Sequence, residues 1–288
     1  MYFKQKYKQG VYVVSIGVAS VIFLLLILQG QYIPQSPYLI PLSMKVNYAF
    51  ALCILIAIIP PAIVEFNNSV WLKQVDKNLP RLLRDVTESI RSGMPLVRAL
   101  EIASKRNYGP ITQLLETAMV NFNLTSDLDG SLMWLGESLI RPTGKRMTTI
   151  LLEAEKSGGR MLDVLDTSMI MFTSIEEYKD EKQSVGGPYV LMVYASSLIF
   201  LFIGWVIISQ FLSPLAHQNL NIPGVASLIG KMLSIDYYKS IIFWAAIMEG
   251  LVGGLVAGKI TDSKISSGLI HSVLLIGVTV VIFNILIA

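Results

Sequence analysis

Charge is scarce in this sequence of 288 residues. Asp, Glu, Lys and Arg make up 15% of the chain, whereas hydrophobic residues make up 53%; soluble domains carry about 25% charged residues. The mean hydropathy is correspondingly high, at +0.59. This composition excludes an ordinary soluble globular protein and is typical of a membrane protein.

Cysteine and histidine are almost absent. The one cysteine, Cys53, cannot form an internal disulfide, and we expect it to pack as a small hydrophobic side chain in its apolar run. The two histidines, His217 and His271, are accompanied by no HExxH motif and no cysteine cluster, so we interpret each as an interfacial polar residue. We therefore predict no metal site and no catalytic residues.

The loop that cradles ATP phosphates is also missing. Gly144-Lys145 and Gly258-Lys259 lack the remaining residues of the G-x-x-x-x-G-K-[ST] motif. The net charge of +3 is small, so nothing indicates a nucleic-acid partner. We predict a protein that is not an enzyme and that binds no cofactor.

Five apolar runs are long enough to cross a bilayer, which takes roughly 17–25 helical residues. They are residues 11–28, 46–64, 185–212, 241–258 and 268–288. No small-residue cleavage site follows Leu28, so we expect the first run to be retained as a span. The fold class predicted is all-α, a polytopic protein with about five transmembrane helices.

The basic residues beside these runs predict their orientation, because cytoplasmic flanks are enriched in Lys and Arg. Lys4, Lys6 and Lys8 precede the first run, which places the N-terminus inside the cell. Lys231, Asp236 and Lys239 lie in the outer loop before the fourth run; Lys259, Asp262 and Lys264 lie in the inner loop after it. We expect a protein of the cell membrane with its C-terminus outside.

Most of the charge lies in residues 65–182, which hold 15 of the 23 Lys and Arg and 17 of the 20 Asp and Glu. Apolar residues recur there at helical spacing and predict a cytoplasmic six-helix bundle. Pro80 is suited to the first turn of the first helix, and Ser126 to the cap of the fourth. The predicted helices are 79–90, 96–105, 111–123, 126–141 and 143–156, followed by a sixth that turns Leu162, Leu165, Met169 and Phe172 inward. The last continues as a polar stalk, 174–184, into the third apolar run.

Two helical hairpins in this block align without a gap. "ESIRSGMPLVRALE" (88–101) matches "EAEKSGGRMLDVLD" (153–166), so that Ser92-Gly93 falls on Ser157-Gly158. Glycine tolerates the left-handed conformation that ends a helix, so both pairs predict turns. A pseudo-repeat of two three-helix halves is favoured over a chance match of helical periodicity.

The first hairpin, "LPRLLRDVTESIRSGMPLVRALE", resembles that of the type II secretion system F domain in its archaeal form, and "LLEAEKSGGRMLDVLD" resembles the second. The tail "GGLVAGKITDSKISSGLIHS" is similar to the C-terminal membrane part of the same proteins. The resemblance implies a membrane platform of a type IV pilus, an archaellum or a secretion machine. It implies a cytoplasmic hexameric secretion ATPase and pilin-like subunits as partners. This chain has one such domain where many members have two, so we expect a homo- or hetero-oligomer.

Candidate functional residues fall into two sets. Four basic residues beside the hairpin turns are candidates for binding the ATPase: Arg91, Arg98, Lys156 and Arg160. Glu249 is an acid within a span, where it is costly and faces protein or water. Gly250, Gly254 and Gly258 repeat every four residues beside it, which favours close helix packing, within one chain or between two, over a proton relay.

We therefore predict three regions: an N-terminal membrane hairpin (1–66), a cytoplasmic helical domain (67–182) and a C-terminal membrane region (183–288). The function predicted is a platform that couples a secretion ATPase to the insertion of pilin-like subunits. The alternative is a small secondary transporter built around Glu249, for which further polar or broken spans are expected.

Overall fold

The structure is a computed structural model that describes residues 2–28, 40–214 and 235–286. Within these ranges the chain forms helices and no strand, which confirms the predicted all-α class. His217 and Lys231, and the last two residues of the fifth apolar run, lie outside the described residues. In chain order the α-helices are α1 (Gln5–Leu28), α2 (Met44–Arg91), α3 (Leu96–Ser104), α4 (Pro110–Thr125), α5 (Leu128–Ser138), α6 (Pro142–Lys156), α7 (Met161–Val206), α8 (Ile235–Asp262) and α9 (Leu269–Leu286).

Five helices of the described chain are long and apolar enough to cross a membrane, as predicted, judged by length and composition. They are α1, α2, α7, α8 and α9. Two of them are far longer than a bilayer requires, since α2 has 48 residues and α7 has 46. Each therefore contains both an apolar segment and a charged one.

The chain divides into two compact units. The bundle unit is Asn67–Gln183 together with Tyr2, and the membrane unit is Phe3–Phe66 with the described residues from Ser184 onward. The bundle unit has an apolar core. It is enclosed by the end of α2, the helices α3 to α6 and the start of α7. Its fully buried members include Leu79, Leu82, Leu100, Ile111, Leu115, Leu132, Leu135, Met147 and Leu165.

The two hairpin turns form where the repeated Ser-Gly pairs predict them. Gly93 has φ +93° and Gly158 has φ +52°, a conformation that side chains with a Cβ rarely adopt. After Gly93 the chain closes with a bond from Met94 N to Ser89 O of 3.2 Å. After Gly158 a short 3₁₀ turn, Gly158–Arg160, leads into α7. The turns share their glycine conformation and differ in how they close.

Two local predictions were wrong. Pro80 does not begin a helix, because α2 continues through it as well as through Pro60 and Pro61. A proline inside a helix costs about 3 kcal/mol, but α2 buries Leu72, Val75, Leu79 and Leu82 on both sides of Pro80, and this burial offsets the cost.

Ser126 does not cap a helix either. It has φ +55° and ends α4, whereas the neighbouring Asp127 caps α5 by accepting a hydrogen bond from Gly130 N at 2.9 Å. A carboxylate is suited to this position because it also interacts favourably with the helix dipole.

The membrane unit has its own apolar core. Phe243 of α8 is fully buried and makes edge-on ring contacts with Tyr48 of α2 and Phe283 of α9, with centroid distances of 5.4 and 5.1 Å. Cys53 is buried in α2, as expected for a small hydrophobic side chain. Leu201 of α7 and Ile276 of α9 belong to the same cluster.

Candidate functional site

Of the four basic residues predicted to bind a partner, Arg91 already has a partner within the chain. Its Nη2 donates to Oδ1 of Asp166 at 2.6 Å and to Oδ2 at 2.9 Å. Arg91 ends α2 in the first hairpin and Asp166 lies in α7 of the second hairpin. The structure therefore brings the two hairpins together, and it uses Arg91 to do so.

The other three basic residues are more available to a partner. Arg98 donates to Glu101 at 2.8 Å along the same helix, and Lys156 lies 3.9 Å from Asp129 across a mostly exposed gap. Arg160 is exposed in the short turn before α7. Exposed pairs of this kind contribute about 0–1 kcal/mol, so a binding partner can replace them at small cost.

A cluster around Asp76 joins three helices and was not predicted. The Asp76 carboxylate of α2 accepts from Thr143 Oγ1 of α6 at 2.8 Å and pairs with Lys179 of α7 at 3.2 Å. Arg141, which precedes α6, is its third partner at 2.5 Å. The carboxylate is 10% exposed, so these contacts are only weakly screened. Asp76 thus ties together α2 and α7, the two helices that continue into the membrane unit.

The sequence carried a weak signal for this cluster. Asp76 follows Leu72 and Val75, which are buried, on a helix whose inward face is otherwise apolar. An acid next to such a face often has a basic partner, but the partners are 65 and 103 residues away in the sequence. Only the fold identifies them.

A second polar network fixes α2 against the loop between α3 and α4. Tyr108 is fully buried, and its hydroxyl donates to Oδ2 of Asp85 at 2.5 Å. Arg106 donates to the same oxygen at 3.0 Å, and the Arg81 guanidinium lies over the Tyr108 ring. Burial, followed by the hydrogen bond to Asp85 and its negative charge, raises the pKa of Tyr108 to about 12. Asp85 also raises the pKa of Arg106, chiefly by hydrogen bonding.

An open groove lies between α6 and α7 in the bundle unit. It has a volume of about 520 Å³. Its wall is almost entirely apolar, with two cationic side chains among the lining residues, which are Pro142, Lys145, Arg146, Thr149, Ile150 and Met171.

The glycine stripe of α8 packs against α9 within the chain. A Cβ on Gly254 would overlap the backbone of Ser272, and one on Gly258 would overlap the backbone of Gly268. A Cβ on Gly250 would lie 3.2 Å from Leu275. Ser272 Oγ also donates to the Leu251 carbonyl of α8 at 2.8 Å. This face of α8 is therefore occupied and offers little surface to a second chain.

Glu249 lies beside that stripe and makes one weak contact. Ser196 Oγ of α7 lies 3.5 Å from Glu249 Oε1, and Oε2 is buried with no hydrogen-bond partner among the residues that the structure describes. His271 of α9 pairs with the Tyr194 hydroxyl of α7 at 2.8 Å. These contacts join α7 to α8 and to α9.

Sequence reasoning did not single out Glu65, although it is a buried acid at the end of the second apolar run. It is 8% exposed, pairs with Lys8 of α1, and accepts a hydrogen bond from Tyr12 of α1 at 3.3 Å. Glu65 therefore links α1 to α2 through an ion pair and a hydrogen bond. Over the described ranges, no group of three or more His, Cys, Asp and Glu side chains is placed to hold a metal ion.

Comparison with known proteins found similarity to a family and to an archaeal protein. The family model described as type II secretion system (T2SS), protein F matches residues 82–209, which include both hairpins and all of α7. An uncharacterized protein of Methanocaldococcus jannaschii is 26% identical over 234 residues. The match covers 80% of this chain and 37% of that protein, so the chain spans little more than a third of its relative's length. No solved structure matches the chain at a significant level. Residues 82–209 of this membrane protein are thus similar to the type II secretion system protein F family.

Proposed function

We propose that this protein is the membrane platform of a type IV pilus-like, archaellum-like or secretion-like machine, and that it couples a cytoplasmic hexameric ATPase to the insertion of pilin-like subunits. The observation that carries the proposal is the continuity of α2 and α7. Each runs without a break from the helical bundle into an apolar segment. The family of residues 82–209 and the archaeal relative support the machine and its archaeal form.

The two long helices supply a physical route for coupling. An α-helix rises 1.5 Å per residue, so the 48 residues of α2 and the 46 of α7 connect the bundle to the apolar segments through continuous backbone. Asp76 holds α2, α7 and the start of α6 together. A movement of the bundle is therefore passed to two membrane helices at once.

The membrane orientation in this proposal follows from the positions of the charged residues. The bundle unit contains most of the charged residues, and Lys4, Lys6 and Lys8 lie before the apolar part of α1. Cytoplasmic flanks are enriched in Lys and Arg, so the N-terminus and the bundle face the cytoplasm and the C-terminus lies outside. A cytoplasmic ATPase is therefore able to bind the bundle.

The exposed arginines of the bundle are the proposed contact. A specific interface buries about 800 Å² per partner, and the bundle unit, which holds most of the charged residues of the chain, is where we expect it. Arg98, Lys156 and Arg160 are the better candidates, because Arg91 is held by two short hydrogen bonds to Asp166 on another helix.

The test uses the full-length protein in lipid nanodiscs with the secretion ATPase of the same genome. Binding is measured at low and high salt for the wild type and for a variant with Arg98→Glu and Arg160→Glu. We expect binding to weaken with salt and to fall in the double variant. Lys264→Glu, in the exposed turn after α8, is the matched control and leaves binding unchanged. Full binding by the double variant excludes these two arginines, and no binding by any form at any salt refutes the recruitment.

A transporter remains the second candidate because Glu249 Oε2 is buried and has no partner among the described residues. Replacement by Gln keeps the size and removes the charge. As a platform, the Glu249→Gln variant assembles fibres or secretes as the wild type does. Proton- or ion-driven uptake into proteoliposomes that disappears in this variant would establish the transporter instead.

A further inference from the structure

The groove between α6 and α7 follows one face of α6. Five of its six lining residues belong to α6, and the sixth is Met171 of α7. The five are Pro142, Lys145, Arg146, Thr149 and Ile150. Residues three, four, seven and eight positions apart share one side of an α-helix. At 1.5 Å per residue, the groove therefore extends about 12 Å along α6.

The apolar part of the groove is open to solvent. Pro142 is exposed, Met171 is 39% exposed, and Ile150 is partly buried against the bundle core. Thr149 adds little polarity, because its hydroxyl already donates to the Lys145 carbonyl at 3.0 Å. A small ligand usually binds in a cleft that covers about 70–90% of its surface, which an open groove does not provide. Its shape fits a segment of a protein better.

Two cationic side chains border the groove without an acidic partner. Lys145 and Arg146 are exposed, and neither forms an ion pair with any residue that the structure describes. Six other basic residues of the bundle unit do have acidic partners, namely Arg91, Arg98, Arg106, Arg141, Lys156 and Lys179. Residues 141–152 include no Asp or Glu. An acidic group of another molecule therefore meets no competing carboxylate from this part of α6.

These two properties together define the occupant. An apolar groove with cations at its border fits an amphipathic helix that carries acidic residues beside its apolar face. Its apolar side chains would contact Ile150 and Met171, and its carboxylates would pair with Lys145 and Arg146. Helices that bind in grooves do so through apolar residues at i, i+3, i+4 and i+7. A length of about 12 Å accommodates about two turns of such a helix.

An anionic lipid surface has related chemistry but is disfavoured by the sequence of α7. Between Met171 and the apolar segment that starts at residue 185, α7 carries four acidic residues and two lysines. The acids are Glu176, Glu177, Asp180 and Glu181. At about 100° per residue, all four lie roughly 80° or more around the helix from Met171, so they point away from the groove. They precede the membrane segment directly, however, and their negative charge repels anionic headgroups there.

We propose that this groove is a docking site for an acidic amphipathic helix of another protein. The inference goes beyond the proposed function, because the groove is lined by neither Arg98 nor Arg160 and its test requires neither the ATPase nor a pilin. Binding is expected to weaken with salt, since the ion pairs it forms are exposed and screened.

A synthetic peptide tests the chemistry of the groove. The full-length protein is placed in phosphatidylcholine nanodiscs, and binding of a fluorescent helical peptide of about 14 residues, made of Leu and Glu, is measured by anisotropy. Its counterpart has Lys in place of every Glu, and binding to empty nanodiscs is subtracted. We expect the Glu peptide to bind the wild type and the Lys peptide not to bind. Equal binding of the two peptides, or no binding by either, overturns the proposal.

Charge reversal locates the contact. Lys145→Glu with Arg146→Glu is expected to weaken binding of the Glu peptide by about tenfold or more, since two ion pairs are lost, and to allow the Lys peptide to bind. Lys77→Glu with Arg84→Glu changes the net charge equally at exposed residues of α2, and this matched control binds as the wild type does. Equal losses in the two double variants would report net charge alone and contradict a site in the groove.

The apolar contact is tested separately. Met171→Ser is expected to weaken binding of the Glu peptide, because it removes an apolar side chain from the wall of the groove. Ile170→Ser removes a neighbouring exposed side chain that does not line the groove, and leaves binding unchanged. Unchanged binding by Met171→Ser would mean that only charge is recognised, which contradicts an amphipathic occupant.

Photo-cross-linking identifies the native occupant. The photoreactive amino acid p-benzoylphenylalanine replaces Thr149 in the full-length protein in cells, and the cross-linked peptides are sequenced by mass spectrometry. We expect them to come from an acidic amphipathic helix of another protein, and the adduct to be lost when Lys145→Glu and Arg146→Glu are added. An adduct with lipid or with a second copy of this chain, or no adduct at all, overturns the proposal.

Discussion

Arg91 and Asp166 are 75 residues apart in the sequence and share two hydrogen bonds, which join the end of α2 to α7. The pair links the two hairpins of the aligned repeat. In that alignment Arg91 corresponds to Lys156, and Asp166 corresponds to Glu101. The equivalent cross-pair is not the one formed, since Lys156 faces Asp129 and Glu101 accepts from Arg98. The two halves of the repeat therefore share the glycine conformation of their turns and differ in their charge pairs.

Reversing Arg91 alone is expected to lower stability slightly, because it places Glu opposite Asp166. Both side chains are substantially exposed, at 58% and 41%, so the cost is about 0.5–1 kcal/mol. Exchanging the two charges, Arg91→Glu with Asp166→Arg, restores the melting temperature of the full-length protein in detergent. If the exchange weakens ATPase binding while restoring stability, Arg91 contacts the partner directly. Without restoration, the observed pair does not stabilise the bundle.

Asp76→Asn is expected to destabilise the protein by about 2–3 kcal/mol, since three donors lose a charged acceptor that is nearly buried. Thermal unfolding of the full-length protein followed by circular dichroism measures the loss. Asp180→Asn removes an exposed carboxylate from α7 and serves as control, with a change within about 0.5 kcal/mol. Equal effects of the two variants would show that the cluster contributes nothing specific.

The stability of the bundle is expected to decline between pH 10 and pH 12. The pKa of Tyr108 is raised from 10.0 to about 12 in the folded protein, so the folded state holds the phenolic proton more tightly than the unfolded chain. The stabilisation is complete below pH 10 and is lost as the pH rises through the folded value. Unfolding at a series of pH values should show a steeper decline for wild type than for Tyr108→Phe. The exposed Tyr7→Phe is the control and follows the wild type; coincident profiles for all three would contradict the prediction.

Gly254→Ala is expected to destabilise the membrane unit, because its Cβ would overlap the Ser272 backbone, which cannot move aside as a flexible side chain can. The cost of overpacking is about 1–3 kcal/mol. Gly277→Ala, on α9, adds the same methyl group where no atom lies within 4 Å and is tolerated. The melting temperatures of the two variants in detergent give the comparison. A Gly254→Ala protein as stable as Gly277→Ala would mean that α8 and α9 do not approach this closely.

Periodicity and turn chemistry were enough to predict the helices, the number of apolar spans and the two glycine turns. These features depend on residues close together in the sequence, such as Gly93 and its neighbours. The error at Pro80 has a different origin. A local rule places proline at a helix start, but α2 buries an apolar face on both sides of the residue, and tertiary packing outweighed the rule.

The polar clusters could not be predicted from the sequence, because they too depend on tertiary packing. Asp76 pairs with Arg141 and Lys179, and Glu65 pairs with Lys8, only when the helices are packed together. Charged residues are common on helices, and spacing alone does not show which of them meet. Arg91 was correctly placed beside a turn, but its partner in Asp166 was visible only in the fold.

The prolines of α2 and α7 have a mechanical consequence. Pro60 and Pro61 remove two N–H donors from the backbone ladder of α2, and Pro188 removes one from α7 just after Gly186 and Gly187. A helix bends most easily where such bonds are missing. Each of the two long helices therefore has a point of easy bending in the membrane unit, and α2 has a second one at Pro80 in the bundle unit. A load on either helix is expected to change its tilt at these prolines, and not evenly along its length.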